Sequence, residues 1–182
     1  MAERLVILSD LWGPRKGLWI TSYLGYLQQY FDITYHDTSQ LADLDLSHPT
    51  AETLTAAFAE GGSERAVKNL LSKEVQPAHY LTFCAGGTVA WNAIKKGLPA
   101  KSLYAISPMK LHREADGPDC PAKILYGEYM EDKPSKKWAT LTGTTMEVIP
   151  RFGREMYSDE KVIQKVCQEL LEESLRKQYQ GL

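Results

Sequence analysis

The sequence lacks the cysteine and histidine patterns that mark disulfide-rich domains and zinc sites. Its three cysteines, Cys84, Cys120 and Cys167, are odd in number and lie in unrelated contexts. No Cys-x-x-Cys spacing and no Cys/His cluster occurs, which argues against a disulfide framework and against a metal centre. We therefore expect free thiols, and the sequence predicts neither a metal nor a cofactor.

A strong charge imbalance and long apolar runs are also missing. The chain has 21 basic and 23 acidic residues, for a net charge of −2, so it has no electrostatic reason to bind nucleic acid or an anionic membrane. No apolar run approaches the length of a membrane span, and the first residues lead straight into a strand without the pattern of a signal peptide. We expect no nucleic-acid partner, no membrane partner and a cytoplasmic location.

The sequence does contain a regular alternation of apolar, β-prone runs and helical periodicities. Strands are predicted at 5–8, 31–36, 79–83, 103–106, 123–126 and 145–149. Helices are predicted at 18–30, at 50–58, from Ser63 to Leu71, from Gly86 to Lys96, around Trp138, and from a cap at Ser158 to Glu172, after which the helix is expected to fray. The alternation predicts an α/β protein with a mostly parallel sheet of about six strands and helices on both faces. Since 182 residues without repeats or linker compositions suffice for one core, 1–182 is expected to be a single domain.

The stretch around Cys84 carries the clearest functional signal. A β-prone run, Tyr80–Phe83, leads into Cys84-Ala85-Gly86-Gly87, and a helix-compatible run follows. Strand, tight turn and helix are the context of a nucleophile elbow, in which one side chain is held exposed on a strained corner. The usual pattern is G-x-S-x-G, whereas this chain has Thr82-Phe83-Cys84-Ala85-Gly86, so a thiol stands where a hydroxyl is usual. The alternative is that Cys84 is a small, buried residue that fills a vacated nucleophile position.

On these residues the chain resembles a small α/β-hydrolase over nearly its whole length. The features that match are the Trp12-Gly13 loop, the Cys84 elbow, Tyr126-Gly127-Glu128 and the segment from Phe152 to Tyr157. The resemblance implies a three-layer α/β-hydrolase fold without a cap domain, with the triad order nucleophile, acid, histidine along the chain. It also implies a small-molecule acyl substrate or ligand.

The resemblance implies three triad positions, and in this chain they hold residues that are unusual for the family. Cys84 takes the nucleophile position, and Arg154 stands where the histidine is expected. The acid position, three residues after Gly127, holds Met130, with Glu128, Glu131 and Asp132 nearby. One of these carboxylates is a candidate partner for Arg154, which would replace the usual acid–histidine pair by an arginine–carboxylate pair.

The histidines offer little for catalysis, since no histidine follows His112 in the chain. His112 is expected in a loop near the rim of the site, where a solvated surface role is the simpler reading. His36, His48 and His79 are expected to be surface or structural residues.

The chemistry expected of this arrangement is acyl transfer without a conventional base. Arg154 cannot take a proton, because a guanidinium stays protonated at biological pH. Its charge and the N-terminus of the following helix would both favour a Cys84 thiolate, which can attack an ester or thioester unaided. Deacylation would still need a group that activates water. The oxyanion hole is expected from the backbone N–H of Ala85 and that of Leu11 or Trp12, although the Trp12 ring could instead cover the core.

The sequence leaves three functions open. The first is a hydrolase or acyl-transferase of small esters or thioesters with Cys84 as nucleophile. The second is a catalytically inactive hydrolase-fold protein that binds a small ligand or a partner protein in the same crevice. The third is a redox-sensitive thiol at Cys84, poised by Arg154. Whether the protein is an enzyme, and its oligomeric state, do not follow from the residues.

Overall fold

The computed structural model describes residues 1–181 and contains one six-stranded sheet in which every neighbouring pair is parallel. The strands are β1 (Glu3–Leu8), β2 (Phe31–His36), β3 (Ala78–Phe83), β4 (Ala100–Ile106), β5 (Ala122–Gly127) and β6 (Thr145–Ile149). Their order in the sheet is β2-β1-β3-β4-β5-β6. The predicted parallel sheet of about six strands is confirmed.

Helices cover both faces of the sheet and complete a three-layer architecture. They are α1 (Trp19–Leu27), α2 (Thr38–Leu41), α3 (Ala51–Ala57), α4 (Ser63–Lys73), α5 (Ala85–Lys95), α6 (Lys136–Leu141) and α7 (Glu160–Gln180), with short 3-10 turns at Gly13–Lys16, Leu111–Arg113 and Arg154–Ser158. Helices α1 and α7 pack on one face, whereas α3, α4 and α5 pack on the other. No helix within residues 1–181 combines the length and apolar character needed to cross a membrane.

The apolar run of β1 is explained by its position inside the sheet. Leu5 and Ile7 face the α1/α7 layer, while Val6 and Leu8 face the α4/α5 layer, and all four side chains are fully buried. A strand covered on both faces cannot alternate polar and apolar residues without burying unpaired polar groups. β3 is buried over its whole length for the same reason.

Several predicted helix boundaries are wrong in detail. The cap of α7 is Asp159, whose side chain accepts from the backbone N–H of Lys161, while Ser158 closes the preceding turn by donating to the carbonyl of Glu155. α7 does not fray after Glu172 but continues to Gln180. An ion pair one helical turn apart, Glu173–Lys177 at 2.9 Å, supports this last part.

The chain between β2 and α4 also differs from the prediction. The short helix α2 was not predicted, and it begins where the Asp37 side chain accepts from the backbone N–H of Ser39. Ser63 is the first residue of α4 and not its cap. A wide turn at Phe58–Gly62 joins α3 to α4, with Gly61 at φ 102°, a conformation that favours glycine.

Candidate active site

Cys84 occupies a sharp corner between β3 and α5. Its backbone has φ 51° and ψ −118°, a region that residues with a side chain rarely adopt. Two hydrogen bonds hold the corner: the Cys84 N–H donates to the Ile106 carbonyl at 2.9 Å, and the Gly87 N–H donates to the Cys84 carbonyl at 3.0 Å. Backbone strain of this kind costs of order 1–3 kcal/mol and persists where surrounding structure enforces it.

The two glycines after Cys84 are required by close packing. A Cβ on Gly86 would lie 2.5 Å from the carbonyl oxygen of Ser9, because the first turn of α5 rests on the end of β1. A Cβ on Gly87 would lie 2.8 Å from the Cβ of Pro108 and 3.3 Å from the Thr82 hydroxyl. The second glycine therefore makes room for Pro108 and, less tightly, for Thr82, the residue that replaces the first glycine of the usual pattern.

Arg154 and Asp132 form an ion pair beside the elbow. The Arg154 Nη2 donates to Asp132 Oδ1 at 2.8 Å, and Asp132 Oδ2 accepts from the backbone N–H of Lys110 at 3.3 Å. The backbone of Arg154 is fixed by Ser107, whose hydroxyl donates to the Arg154 carbonyl at 2.7 Å. Of the three carboxylates considered from the sequence, Asp132 is therefore the partner of Arg154.

The other residues near the acid position lie elsewhere. Glu128 accepts from the backbone N–H of Arg151 at 2.7 Å on the exposed surface, and it makes no hydrogen bond to Arg154 or Cys84 within residues 1–181. Met130 is buried in the core on the α5 side of the sheet. The structure thus separates Glu128 from the site and keeps Asp132 in it.

Arg154 favours the Cys84 thiolate as expected, but burial opposes it more strongly. Burial raises the pKa of Cys84 to about 11, although the charge of Arg154 acts in the opposite direction. Only 8% of Cys84 is exposed. Arg154 lies near Cys84 as the sequence indicated, but the loss of hydration at the buried sulfur raises the pKa by more than the charge of Arg154 lowers it.

The two backbone amides expected to form the oxyanion hole have no oxygen acceptor. The N–H groups of Ala85, at the elbow, and of Leu11, in the loop after β1, donate to no backbone or side-chain oxygen among residues 1–181. The Trp12 amide is already engaged, since it donates to Asp10 Oδ1 at 3.1 Å. This favours Leu11 over Trp12 as the second donor, and the Trp12 ring instead packs, partly buried, against the core.

Asp10 and Tyr157 are site residues that the sequence analysis missed. Asp10 is 5% exposed; its Oδ1 accepts from the Trp12 and Gly13 amides, and its Oδ2 accepts from the Tyr157 hydroxyl at 2.9 Å. The negative charge of Asp10 also raises the pKa of Cys84, so the two groups interact electrostatically. The signal in the sequence was the polar pair Ser9-Asp10 directly after the apolar run 5–8, because side chains at the carboxyl ends of parallel strands meet at one edge.

The histidines take structural positions. His112 lies on the rim, with Nδ1 3.2 Å from the Asp132 carbonyl. His36 pairs with Glu74 at 2.7 Å, and His79 contacts Glu3 and Ser102 at the opposite end of the sheet. No histidine within residues 1–181 makes a hydrogen bond with Cys84 or Arg154.

Two open grooves flank Arg154, and Cys84 lines neither. One, of about 490 Å³, is lined by Lys110, His112, Arg113 and Asp132 among others; the other, of about 680 Å³, runs along the turn before α7.

Among residues 1–181, no three His, Cys, Asp or Glu side chains are grouped so that they could hold a metal ion.

Comparisons with known proteins relate the chain to solved structures only. No protein-family model and no curated protein sequence matches it. A protein of the alpha/beta hydrolase superfamily from Xanthomonas campestris is 14% identical, covers 99% of each chain and superposes with a TM-score of 0.63.

Two further neighbours have named activities. Naproxen esterase (carboxylesterase NP) from Bacillus subtilis is 13% identical, with coverage of 94% of this chain and 83% of that chain and a TM-score of 0.59. The NocB thioesterase domain is 14% identical, with 95% coverage of both chains and a TM-score of 0.56. Sheet order, elbow and neighbours agree: the chain has the fold of the α/β-hydrolase superfamily.

Proposed function

We propose that the protein is a hydrolase or acyl-transferase of small esters or thioesters that forms an acyl intermediate on Cys84. The observation that carries the proposal is the strained backbone of Cys84 at φ 51°, together with the amides of Ala85, which follows it, and of Leu11, in the loop after the adjacent strand β1, both of which lack oxygen acceptors among residues 1–181. A buried thiol that only filled space would not require a strained corner, whereas a nucleophile on an elbow does.

The bond changes follow from the groups at the elbow. The Cys84 sulfur attacks the carbonyl carbon, and the carbonyl oxygen becomes an oxyanion that accepts from the Ala85 and Leu11 amides. The carbon–oxygen or carbon–sulfur bond to the leaving group then breaks, and the departing alkoxide or thiolate takes up the proton that the thiol gave away. Water cleaves the acyl-sulfur bond in the second half of the cycle, or another nucleophile accepts the acyl group.

The roles of Arg154 and Asp132 in this proposal are electrostatic. The guanidinium lowers the pKa of Cys84 against the larger effect of burial, so it favours the thiolate that forms during attack. Asp132 anchors the guanidinium through the 2.8 Å contact. Ester and thioester substrates are proposed because the elbow is of the nucleophilic type and because the structural neighbours include an esterase and a thioesterase domain.

The test is to trap the acyl intermediate. Purified protein is mixed with p-nitrophenyl acetate, quenched in acid and digested, and the peptides carrying Cys84, Cys120 and Cys167 are measured by mass spectrometry. We expect acetylation of the Cys84 peptide above that of the other two, together with nitrophenol release that Cys84→Ala abolishes. Equal labelling of Cys84 and Cys120, with the same nitrophenol release from Cys84→Ala as from the wild type, would rule the proposal out.

Ligand binding without turnover is a second candidate, favoured by one observation: Cys84 is only 8% exposed and its thiol is protonated, with a pKa raised by burial to about 11. In this case the Ala85 and Leu11 amides and Arg154 would hold a carboxylate. Thermal unfolding with added butyrate tests this candidate: a midpoint that rises for the wild type and not for Arg154→Gln supports it, and equal midpoints count against it.

A further inference from the structure

The strand register brings Asp10 level with Cys84. Leu8 of β1 pairs with Thr82 of β3, and Asp10 and Cys84 each lie two residues beyond this pair, just past the ends of two adjacent parallel strands. The two chain segments pack closely there, because a Cβ on Gly86 would have no room against the carbonyl of Ser9. Asp10 and Cys84 therefore both lie at the carboxyl edge of the sheet, where the charge of Asp10 acts on the Cys84 thiol.

The hydrogen bonds of Asp10 hold it in place while leaving it able to accept a proton. A carboxylate offers about four lone-pair positions. Three are used, by the amides of Trp12 at 3.1 Å and Gly13 at 2.8 Å and by the Tyr157 hydroxyl at 2.9 Å. The remaining one has no donor among residues 1–181, and the group is 5% exposed, so bulk water does not compete for it.

The electrostatic surroundings of Asp10 contain few ionisable groups. They come from the elbow, the end of β2, the turn after β1 and the turn before α7, and they are Cys84, Arg154, Tyr35, Asp37, Arg15 and Tyr157; Arg15 lies 3.6 Å from Asp37. Burial raises the pKa of Asp10, Asp37 adds to this, and the hydrogen bond from Tyr157 opposes it. A carboxylate in such surroundings is a better proton acceptor than one in water.

We propose that Asp10 is the general base of this site and does the work that a histidine would otherwise do. The inference rests on the proposed function. In acylation the Cys84 S–H proton moves to an Asp10 oxygen as the sulfur–carbon bond forms, and Asp10 returns it to the leaving alkoxide or thiolate. In deacylation Asp10 accepts a proton from the attacking water as the new carbon–oxygen bond forms, the sulfur–carbon bond breaks, and the proton passes to the departing thiolate.

Asp10→Asn separates this role from a structural one. Asparagine keeps an oxygen for the Trp12 and Gly13 amides, so the loop should remain folded. It also removes the negative charge that raises the pKa of Cys84, so alkylation of Cys84 by iodoacetamide at neutral pH should become faster. Turnover of p-nitrophenyl acetate should nevertheless fall by about 100-fold, the usual contribution of a general base.

The alkylation rate and the turnover of Asp10→Asn together show whether Asp10 acts as the general base. Faster alkylation with much slower turnover supports Asp10 as the base. Unchanged turnover, or alkylation and turnover that fall together, overturns it. Absence of any Cys84-dependent acylation in the wild type overturns the proposed function and this inference with it, and the alkylation rates still report that the site is formed.

If Asp10→Asn does not fold, Tyr157→Phe tests whether Asp10 is the general base. The Tyr157 hydroxyl lowers the pKa of Asp10 by donating to it, so its removal raises that pKa. We expect the acidic limb of the kcat/KM profile to move to higher pH, since a base of higher pKa is protonated at higher pH. An acidic limb at the same pH as in the wild type would overturn the proposal.

Discussion

At the scale of single residues, the pKa of the Cys84 thiol depends on burial and on two neighbouring charges. Burial raises the pKa of Cys84, and Arg154 lowers it by its charge. Asp10 adds to the effect of burial, so Cys84 lies between one cationic and one anionic neighbour. The reactivity of the thiol therefore depends on Arg154 and Asp10, which are both distant from Cys84 in the sequence.

The first prediction concerns Arg154→Gln. Loss of the guanidinium removes the group that lowers the Cys84 pKa, so the pKa should rise above about 11 and alkylation at any given pH should slow. The measurement is the rate of iodoacetamide labelling of the Cys84 peptide against pH, followed by mass spectrometry. The matched control is Arg151→Gln, which removes the same charge from an exposed residue whose backbone, and not its side chain, contacts Glu128. Equal rates in the two variants would contradict the assigned role of Arg154.

At the scale of elements, the first turn of α5 depends on its close approach to β1. Gly86 fits there only because it has no Cβ, since the Ser9 carbonyl and the Leu8 side chain occupy the space. The obstacles are the carbonyl oxygens of Ser9 and Leu8 and the Cβ of Leu8, which are backbone or fixed to it, so they cannot rotate away as the end of a flexible side chain can. This contact fixes the distance between the elbow and the loop that holds Leu11 and Asp10.

The second prediction is that Gly86→Ala destabilises the protein and Gly25→Ala does not. The added Cβ at Gly86 would lie 2.5 Å from an oxygen, and we expect a loss of about 1–3 kcal/mol in the free energy of unfolding. Gly25 lies in the exposed interior of α1 with nothing within 4 Å, so alanine should stabilise there by up to about 1 kcal/mol. Urea unfolding of both variants measures the difference. A stable Gly86→Ala would show that α5 can shift away from β1.

The third prediction concerns the start of α7, where the cap is Asp159 and not Ser158. Asp159→Ala removes the acceptor of the Lys161 amide and should cost about 1 kcal/mol. Ser158→Ala loses only an exposed hydrogen bond to the Glu155 carbonyl and should change the free energy of unfolding by no more than about 0.5 kcal/mol. Chemical denaturation of the two variants compares them, and a larger loss for Ser158→Ala would restore the cap predicted from the sequence.

At the scale of the whole molecule, the end of the sheet opposite Cys84 is held by ionisable side chains. His79 on β3 lies between Glu3 on β1 and Ser102 on β4, at 2.5 and 2.7 Å. Glu169 of α7 accepts from Lys123, Lys165 and Tyr104, which ties the helix to β4 and β5. Stability should therefore depend on pH through this end of the sheet, while chemistry depends on pH through the other end.

The fourth prediction is a loss of stability in two steps as the pH falls. Burial lowers the pKa of His79 below its ordinary value of 6.5, so the unfolded chain binds a proton there before the folded one does, and stability falls once the pH drops below 6.5. For Glu3 and Glu169 the hydrogen bonds have the opposite effect. Burial alone would raise the pKa of each carboxyl group, but the hydrogen bonds that each accepts outweigh burial and hold its pKa below the ordinary 4.5. Their contribution is therefore complete above pH 4.5 and is lost as the pH falls through the folded-state pKa values.

Denaturant unfolding at a series of pH values tests these two steps. His79→Gln should remove the first step, because glutamine does not titrate, and Glu169→Gln should reduce the second. A wild-type stability that is flat between about pH 7 and 5 would contradict the assignment to His79.

The sequence by itself determined the layered architecture and the place of the elbow. Short continuous apolar runs are typical of strands buried on both faces of a parallel sheet, and the residues around Cys84 predict a strand, a tight turn and a helix in consecutive positions. Both signals are local, because periodicity and turn chemistry act over a few neighbouring residues.

Only the tertiary structure decided which residues surround Cys84 and in what state its thiol exists. Asp132 and not Glu128 reaches Arg154, Asp10 reaches Tyr157 across 147 positions of the chain, and the thiol is protonated although a cation lies beside it. Such outcomes depend on strand register and burial, which bring distant residues together and remove water, and neither can be read from the spacing of residues along the chain.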